Sequence, residues 1–368
     1  MSHCTLNIGI VGLPNVGKST LFNALTRKSV DAANYPFCTI DPAVGVVPVP
    51  DERLWKLSTF SASAQTLPAV VEFVDIAGLV KGAAEGEGLG NAFLSNIREV
   101  DAIAHVVRIF DDSNITHVSG TVDPLADIET VHLELIFADL DTVNKRLASL
   151  ERDVKRGDKD AVKENAVVAR AKATLEASQL ISSLELTEDE QIYLPGLHLL
   201  TAKPILFVLN KQSGGTNIDE SDPEAFEKLT RAIEVMGARY VLVDANVESE
   251  VKELEGAEKQ LFREELGAKD SGFDTFIQQS YDLLDLITFF TTGEKETRAW
   301  TTFVGATAPQ AGASIHSDFQ DTFIRADIIQ WDALLAAGSR AAARDQGRIR
   351  TEGKEYVVQD GDVIEFKI

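Results

Sequence analysis

One octapeptide, Gly12-Leu13-Pro14-Asn15-Val16-Gly17-Lys18-Ser19, carries glycines, a lysine and a hydroxyl at the spacing G-x-x-x-x-G-K-[ST]. That spacing suits a polyphosphate. Glycines let successive backbone N–H groups close around phosphate oxygens, and a helix starting there adds positive potential. Lys18 is the candidate catalytic cation, placed to reach the β- and γ-phosphates, and Ser19 is the candidate Mg²⁺ ligand. Asn15, Val16, Gly17, Lys18, Ser19 and Thr20 form the candidate nucleotide-binding run. The context agrees: residues 5–11 read as a buried strand and 19–25 as a helix, the frame such a loop needs.

A second element lies at Val70-Val71-Glu72-Phe73-Val74-Asp75-Ile76-Ala77-Gly78. An acid ending an apolar strand, followed by Ala-Gly, suits an indirect Mg²⁺ carboxylate at Asp75 and a backbone that senses the γ-phosphate. With the glycine-rich run 82–90, it resembles the second switch of small GTPases. Thr39 lies between cradle and Asp75, where a hydroxyl can complete the Mg²⁺ shell. Small GTPases place a water-orienting glutamine after Ala-Gly; this chain has Leu79, which neither accepts nor donates. His117 and Asn114, after the strand-like segment 102–109, are the candidates to reach the site instead, with His117 the catalytic candidate. His105, inside that apolar strand, reads as a core residue.

Base recognition is expected after strand 204–209, where Asn210-Lys211-Gln212-Ser213 takes the place of the GTPase pattern N-K-x-D. The aspartate of that pattern accepts two hydrogen bonds from guanine, and Ser213 has no charge with which to do so. Asn210, Lys211 and Ser213 are therefore the base-site candidates, with Val243-Asp244-Ala245-Asn246 as the last base-contacting loop. Losing the carboxylate removes a charged acceptor, so ATP is expected to bind at least as well as GTP.

These residues need a scaffold. Strands at 5–11, 69–74, 102–109, 204–209 and 240–243 alternate with helices, the last following a helix over 224–236 capped by Gly237. That order predicts an α/β fold with a doubly wound parallel sheet. Residues 127–200 interrupt it. Ile136, Leu140, Val143, Leu147, Leu150 and Val154 alternate steps of four and three, a coiled-coil seam. With the turn Arg156-Gly157-Asp158 and an alanine-rich helix around 160–180, this predicts an inserted antiparallel helical hairpin. From about 285 the chain reads as a small α+β domain, with strands at 299–304, 323–329 and 355–358 and a tight hairpin turn at 359–362 before 363–367. The expected domains are a nucleotide-binding domain at 1–126 and 201–284, the helical insertion at 127–200, and the C-terminal domain at 285–368.

Net charge is −23, which argues against broad nonspecific binding to nucleic acid. Two basic clusters stand out locally: Lys145, Arg146, Arg152, Lys155, Arg156, Lys159 and Lys163 on the hairpin, and Arg340, Arg344, Arg348, Arg350 and Lys354 near the C-terminus. A solvated face laced with intrahelical ion pairs is the plainer account of the first. Two cysteines, Cys4 and Cys38, lack metal-ligand spacing and fit a reducing cytoplasm. No stretch approaches the roughly 20 apolar residues a membrane span needs, and no signal peptide is read at the N-terminus.

Taken together, the motifs resemble the YchF/Obg-like ATPase family of translation-factor-related P-loop proteins. The likeness rests on the cradle through Leu25, on Ala33-Asn34-Tyr35-Pro36-Phe37-Cys38-Thr39-Ile40-Asp41-Pro42, and on Phe73–Ala83. It continues in Gly86-Glu87-Gly88-Leu89-Gly90-Asn91, Arg298-Ala299-Trp300-Thr301, Gly305-Ala306-Thr307-Ala308-Pro309, residues 321–326 and Gln359-Asp360-Gly361-Asp362. The resemblance implies a GTPase-like domain, an inserted helical domain and a C-terminal TGS domain of β-grasp type. It implies Mg²⁺-dependent ATP hydrolysis, ribosome association in the cytoplasm, and a monomer with no membrane or sequence-specific DNA partner. The family pattern at the base site is Asn-x-x-Glu, which Ser213 does not match. Asn15 could also lend its side-chain oxygen to K⁺. The alternatives are a GTP-preferring switch of the same architecture and a nucleotide-gated ribosome-binding module with negligible turnover.

Overall fold

A computed structural model of the chain describes residues 6–27, 43–76, 89–111, 122–250 and 272–368. Thr39, His117, Asn114, Leu79 and the run 82–88 lie outside the described residues. Two compact units are present: residues 7–27 with 73–276, and residues 1–6 with 28–72 and 277–368.

In the first unit, β1 (Asn7–Val11) runs into the cradle and then into α1 (Lys18–Arg27). β1 pairs in parallel with β4 (Ala102–Arg108), β4 with β5 (Ile205–Asn210), and β5 with β6 (Arg239–Val243). On the other side of β1 runs β3 (Val70–Asp75), which ends in this unit. All seven residues of β4 and all six of β5 are buried, as expected of strands covered on both faces. The α/β reading with a parallel sheet therefore holds. His105 is a core residue as expected, its ring 5.3 Å from Phe207 and 5.9 Å from His132. Burial, with His132 and Lys18 adding to it, holds the His105 imidazole neutral.

The insertion is a helical hairpin. Asp123 caps α4 (Pro124–Lys155) by accepting from Ala126 N–H, with Pro124 in the first turn where its missing N–H costs nothing. Asp158 caps α5 (Lys159–Glu176) after the three-residue turn. The seam closes as its spacing predicts: Ile136, Val143 and Leu150 are buried, while Leu140 and Leu147 pack against Val167, Val168 and Ala171. Asp139, fully buried, then accepts from Leu200 N–H, Thr201 N–H and the Thr201 hydroxyl, fixing where the chain returns to the sheet. The hairpin's charges are largely paired, Lys145 with Asp141, Arg146 with Glu164, Lys155 with Glu151 and Arg156 with Asp153.

The second unit is built on a mixed sheet. β7 (Leu286–Thr292) and β8 (Glu296–Phe303) form an antiparallel pair. β11 (Asp362–Lys367) runs parallel to β7 and antiparallel to β9 (Arg325–Gln330), and β10 (Arg350–Glu352) closes that edge. The opposite edge comes from far up the chain: β2 (Gln65–Leu67) pairs in parallel with β8. Just before it, α2 (Glu52–Ser61) leans on the same sheet. Arg53 bonds both Asp51 and Asp360 and lies 5.3 Å from the Phe290 ring, and Ser61 and Ser63 bond Thr292 and Thr297.

One expected strand is absent. Residues 355–358 form a turn with a single bridge, Val357 to Thr307, so residues 359–362 do not close a hairpin. The backbone of the segment bonds elsewhere, Tyr356 N–H to the Gly353 carbonyl and Val358 N–H to the Ala306 carbonyl. The Asp362 carboxylate accepts from the Tyr356 hydroxyl, Gln359 N–H and the Gln330 side chain. The second basic cluster is also mostly neutralised, with Arg340 on Glu365, Arg344 on Asp327 and Arg350 near Glu352.

The buried seam yields a first prediction. Ile136→Ala leaves a cavity in the hairpin and should cost about 2–5 kcal/mol of stability. Thermal unfolding followed by circular dichroism should show it, with nucleotide affinity unchanged.

Candidate nucleotide site

The cradle has the backbone its sequence demands. Gly17 sits at φ 98°, and a Cβ there would lie 2.2 Å from the Asn210 side-chain nitrogen. Gly12 sits at φ 150°, where a Cβ would lie 2.5 Å from the Val106 carbonyl. Both glycines are thus required by close approach as well as by dihedral. Asn15 adopts φ 63°, which asparagine tolerates better than most residues.

Lys18 is only 8% exposed, and its ammonium donates to the Leu13 carbonyl at 2.6 Å. Burial brings it down to about 8, with Asp75 pulling the other way. Asp75 shows the complement, its carboxyl raised by burial and lowered by Lys18. Ser19 and Thr20, the next two residues of α1, stand at the accessible face of the loop. A hydroxyl and a carboxylate are hard oxygen donors, the kind a small divalent cation prefers.

The candidate base-site residues converge from the ends of β5 and β6. Asn210 donates from its side-chain nitrogen to the Val16 carbonyl at 2.9 Å and accepts from Ala245 N–H at 3.4 Å. Lys211 N–H donates to the Val243 carbonyl at 2.9 Å. The structure thus joins the cradle, the Asn210 loop and the loop after β6. Lys211 does something that reading did not foresee: its ammonium bonds Asp219 at 2.6 Å and Glu220 at 2.8 Å. Burial alone would lower its pKa, but the two carboxylates hold it raised. Asn217 braces the same loop through Gln212 N–H and the Gln212 carbonyl.

Sequence reasoning named Asp244 only as part of a loop. In the structure it is a buried N-cap: its carboxylate accepts from Asn246 and Val247 N–H at the start of α7 (Ala245–Glu250), and from Ser213 N–H. Its sequence signal was an acid directly between a strand and a helix.

Two family models match the chain. One, described as a 50S ribosome-binding GTPase, covers residues 7–138. The other, the YchF-GTPase C-terminal family described as a protein of unknown function, covers residues 286–368. The chain is 53% identical over 365 residues to the ribosome-binding ATPase YchF of Bacillus subtilis, spanning 98% of this chain and 99% of that one. It is 48% identical over 358 residues to the ribosome-binding ATPase YchF of Escherichia coli O157:H7, spanning 97% and 98%. Among solved structures, that of the Schizosaccharomyces pombe YchF GTPase is similar with a TM-score of 0.88 and 37% identity, over 100% of this chain and 99% of that one. The bacterial relatives are named for ATP and the yeast one for GTP.

The state of Lys18 sets a pH dependence. Its folded pKa is lowered to about 8, so below that pH the free site already holds the charge that phosphate needs. Above it, binding must also take up a proton, and triphosphate affinity should fall by up to about tenfold per pH unit. Titration calorimetry between pH 7 and pH 9.5 checks this. Lys18→Met should bind weakly and show no such fall.

Proposed function

The chain belongs to the YchF family of P-loop nucleoside triphosphatases, and from that premise we propose that it hydrolyses ATP to ADP and phosphate with Mg²⁺, as a slow switch that associates with the ribosome. The observation that carries the reading is the cradle itself, with a buried lysine and two glycines whose side-chain space is taken.

Backbone N–H groups of Asn15 through Thr20 hold the phosphates, and Lys18 offers its charge to the β- and γ-oxygens. Ser19, with Thr39 and indirectly Asp75, would hold Mg²⁺. When bound, the ion neutralises charge that develops on the phosphates. Asn210 orients the base against the cradle. His117 is the residue proposed to place the attacking water, since Leu79 cannot. Asn15, exposed and in a left-handed conformation, supports a K⁺ site beside the phosphates.

The ribosome contact is proposed at the hairpin tip. Arg152, Lys159 and Lys163 are exposed there and form no ion pair among the described residues. Among the described residues, no helix is long and apolar enough to cross a membrane. A ribosomal partner would place the protein in the cytoplasm, acting as a monomer. A binding module with negligible turnover is favoured over an active switch only if ribosomes fail to raise the rate.

Phosphate release from ATP and GTP, with and without ribosomes, tests the activity. ATP should be turned over at least as fast as GTP, and Ser19→Ala should weaken the Mg²⁺ dependence more than base selectivity. A tenfold preference for GTP would remove the ATPase assignment, and equal rates in KCl and NaCl would remove the K⁺ site. Changing Arg152, Lys159 and Lys163 to Gln should weaken ribosome co-sedimentation. Its salt dependence should drop by about one unit of slope per lost phosphate contact.

A further inference from the structure

The N-K-x-D pattern puts a carboxylate at the fourth position, where this chain has Ser213. A carboxylate is nevertheless in the base site. Asp244 is only 5% exposed, and its Oδ2 accepts from Ser213 N–H at 2.6 Å. Its Oδ1 is taken by Asn246 and Val247 N–H, at 3.1 Å each. A carboxylate offers about four acceptor positions, so Oδ2 keeps one in reserve. Ser213 is half-buried, and its hydroxyl bonds no group among the described residues. Lys211 is committed to Asp219 and Glu220 and adds nothing to a base edge.

We propose that Ser213 and Asp244 form a two-residue reader that selects adenine over guanine, the acid and the hydroxyl having traded loops relative to the N-K-x-D pattern. This rests on the nucleotide reading above and names the groups that would decide its base. The pair presents one donor, Ser213 O–H, beside one acceptor, Asp244 Oδ2. The adenine edge is the complement: N1 accepts and the N6 amine donates. Every group is then paired.

Guanine does less well. Seated as adenine would be, it sets O6, an acceptor, against Asp244 Oδ2, so two acceptors face each other with no proton between them. Leaving a buried polar group unpaired is what gives a hydrogen-bonding site its selectivity. The preference is expected to be modest, about tenfold, because one group is at stake. Ser213→Asp alone would set two carboxylates together, so the exchange must be reversed at both positions to favour guanine fully.

The test uses the full chain with Mg²⁺ and three probes: ATPγS, GTPγS and inorganic tripolyphosphate, titrated by calorimetry. Asp244→Asn keeps an oxygen for the α7 N–H groups but puts a donor in place of Oδ2, which also accepts from Ser213 N–H. The ATPγS-to-GTPγS affinity ratio should fall at least about tenfold while tripolyphosphate binds as before. The double variant Ser213→Asp with Asp244→Ser should move the ratio further towards guanine than Ser213→Asp alone. A ratio within twofold of the parent in both variants, with tripolyphosphate binding intact, overturns the reader. Parallel loss of tripolyphosphate binding overturns it too, since Asp244 would then be only a helix cap. A parent protein that prefers GTPγS tenfold would instead refute the ATP assignment, and the reader would still be judged by the change in ratio.

Discussion

The site depends on one buried side-chain amide. Asn210 lies 194 residues from Val16 in sequence, yet donates to its carbonyl at 2.9 Å and accepts from Ala245 N–H. Gly17 has no side chain because that amide nitrogen fills the space one would need. The cradle and both candidate base loops are therefore held as one piece. Removing the amide would strand a buried carbonyl and N–H, at about 1–3 kcal/mol for each group left unpaired. The sheet supplies the rest: β5 lies between β4 and β6, so its end is where cradle and base loops can meet.

What could be read from sequence was what is local in sequence. The cradle shows itself because glycine spacing, lysine and hydroxyl sit within eight residues. The hairpin shows itself because each seam residue meets the next one turn away, ending at a short turn with Asp158 as cap. What escaped were pairings set by the tertiary fold. Ser213 and Asp244 meet only because β5 and β6 are neighbours. The run from Asp51 to Leu67 belongs with β7 and β8 through partners more than 200 residues away, which no local pattern announces. Residues 355–358 have the composition of a strand, but their backbone bonds run to Gly353, Ala306 and Ala308 instead of to a partner strand.

Charge follows the same rule. A chain of net charge −23 has carboxylates within reach of most cations, so a basic cluster in the sequence need not be a basic surface. Arg340, Arg344 and Arg350 lie against Glu365, Asp327 and Glu352. Such exposed pairs add little to stability, but they cancel the local field within a Debye length, about 8 Å at physiological salt. Arg152, Lys159 and Lys163, at the end of α4 and the start of α5, form no such pair among the described residues.

Lys18 and Asp75 add a constraint of their own. Without phosphate, Lys18 donates to the Leu13 carbonyl, a neutral acceptor, while burial depresses its pKa. A phosphate oxygen is a stronger, charged acceptor and should draw the ammonium away from that carbonyl. Asp75 then loses the cation that offsets its burial and faces new negative charge. A buried carboxylate beside phosphate is unfavourable unless positive charge arrives with the ligand. A divalent cation carried in with the nucleotide would restore the balance, and Ser19, adjacent to Lys18 on the same helix, is the residue proposed to meet it. The charges of Lys18 and Asp75 therefore support the proposed Mg²⁺ dependence.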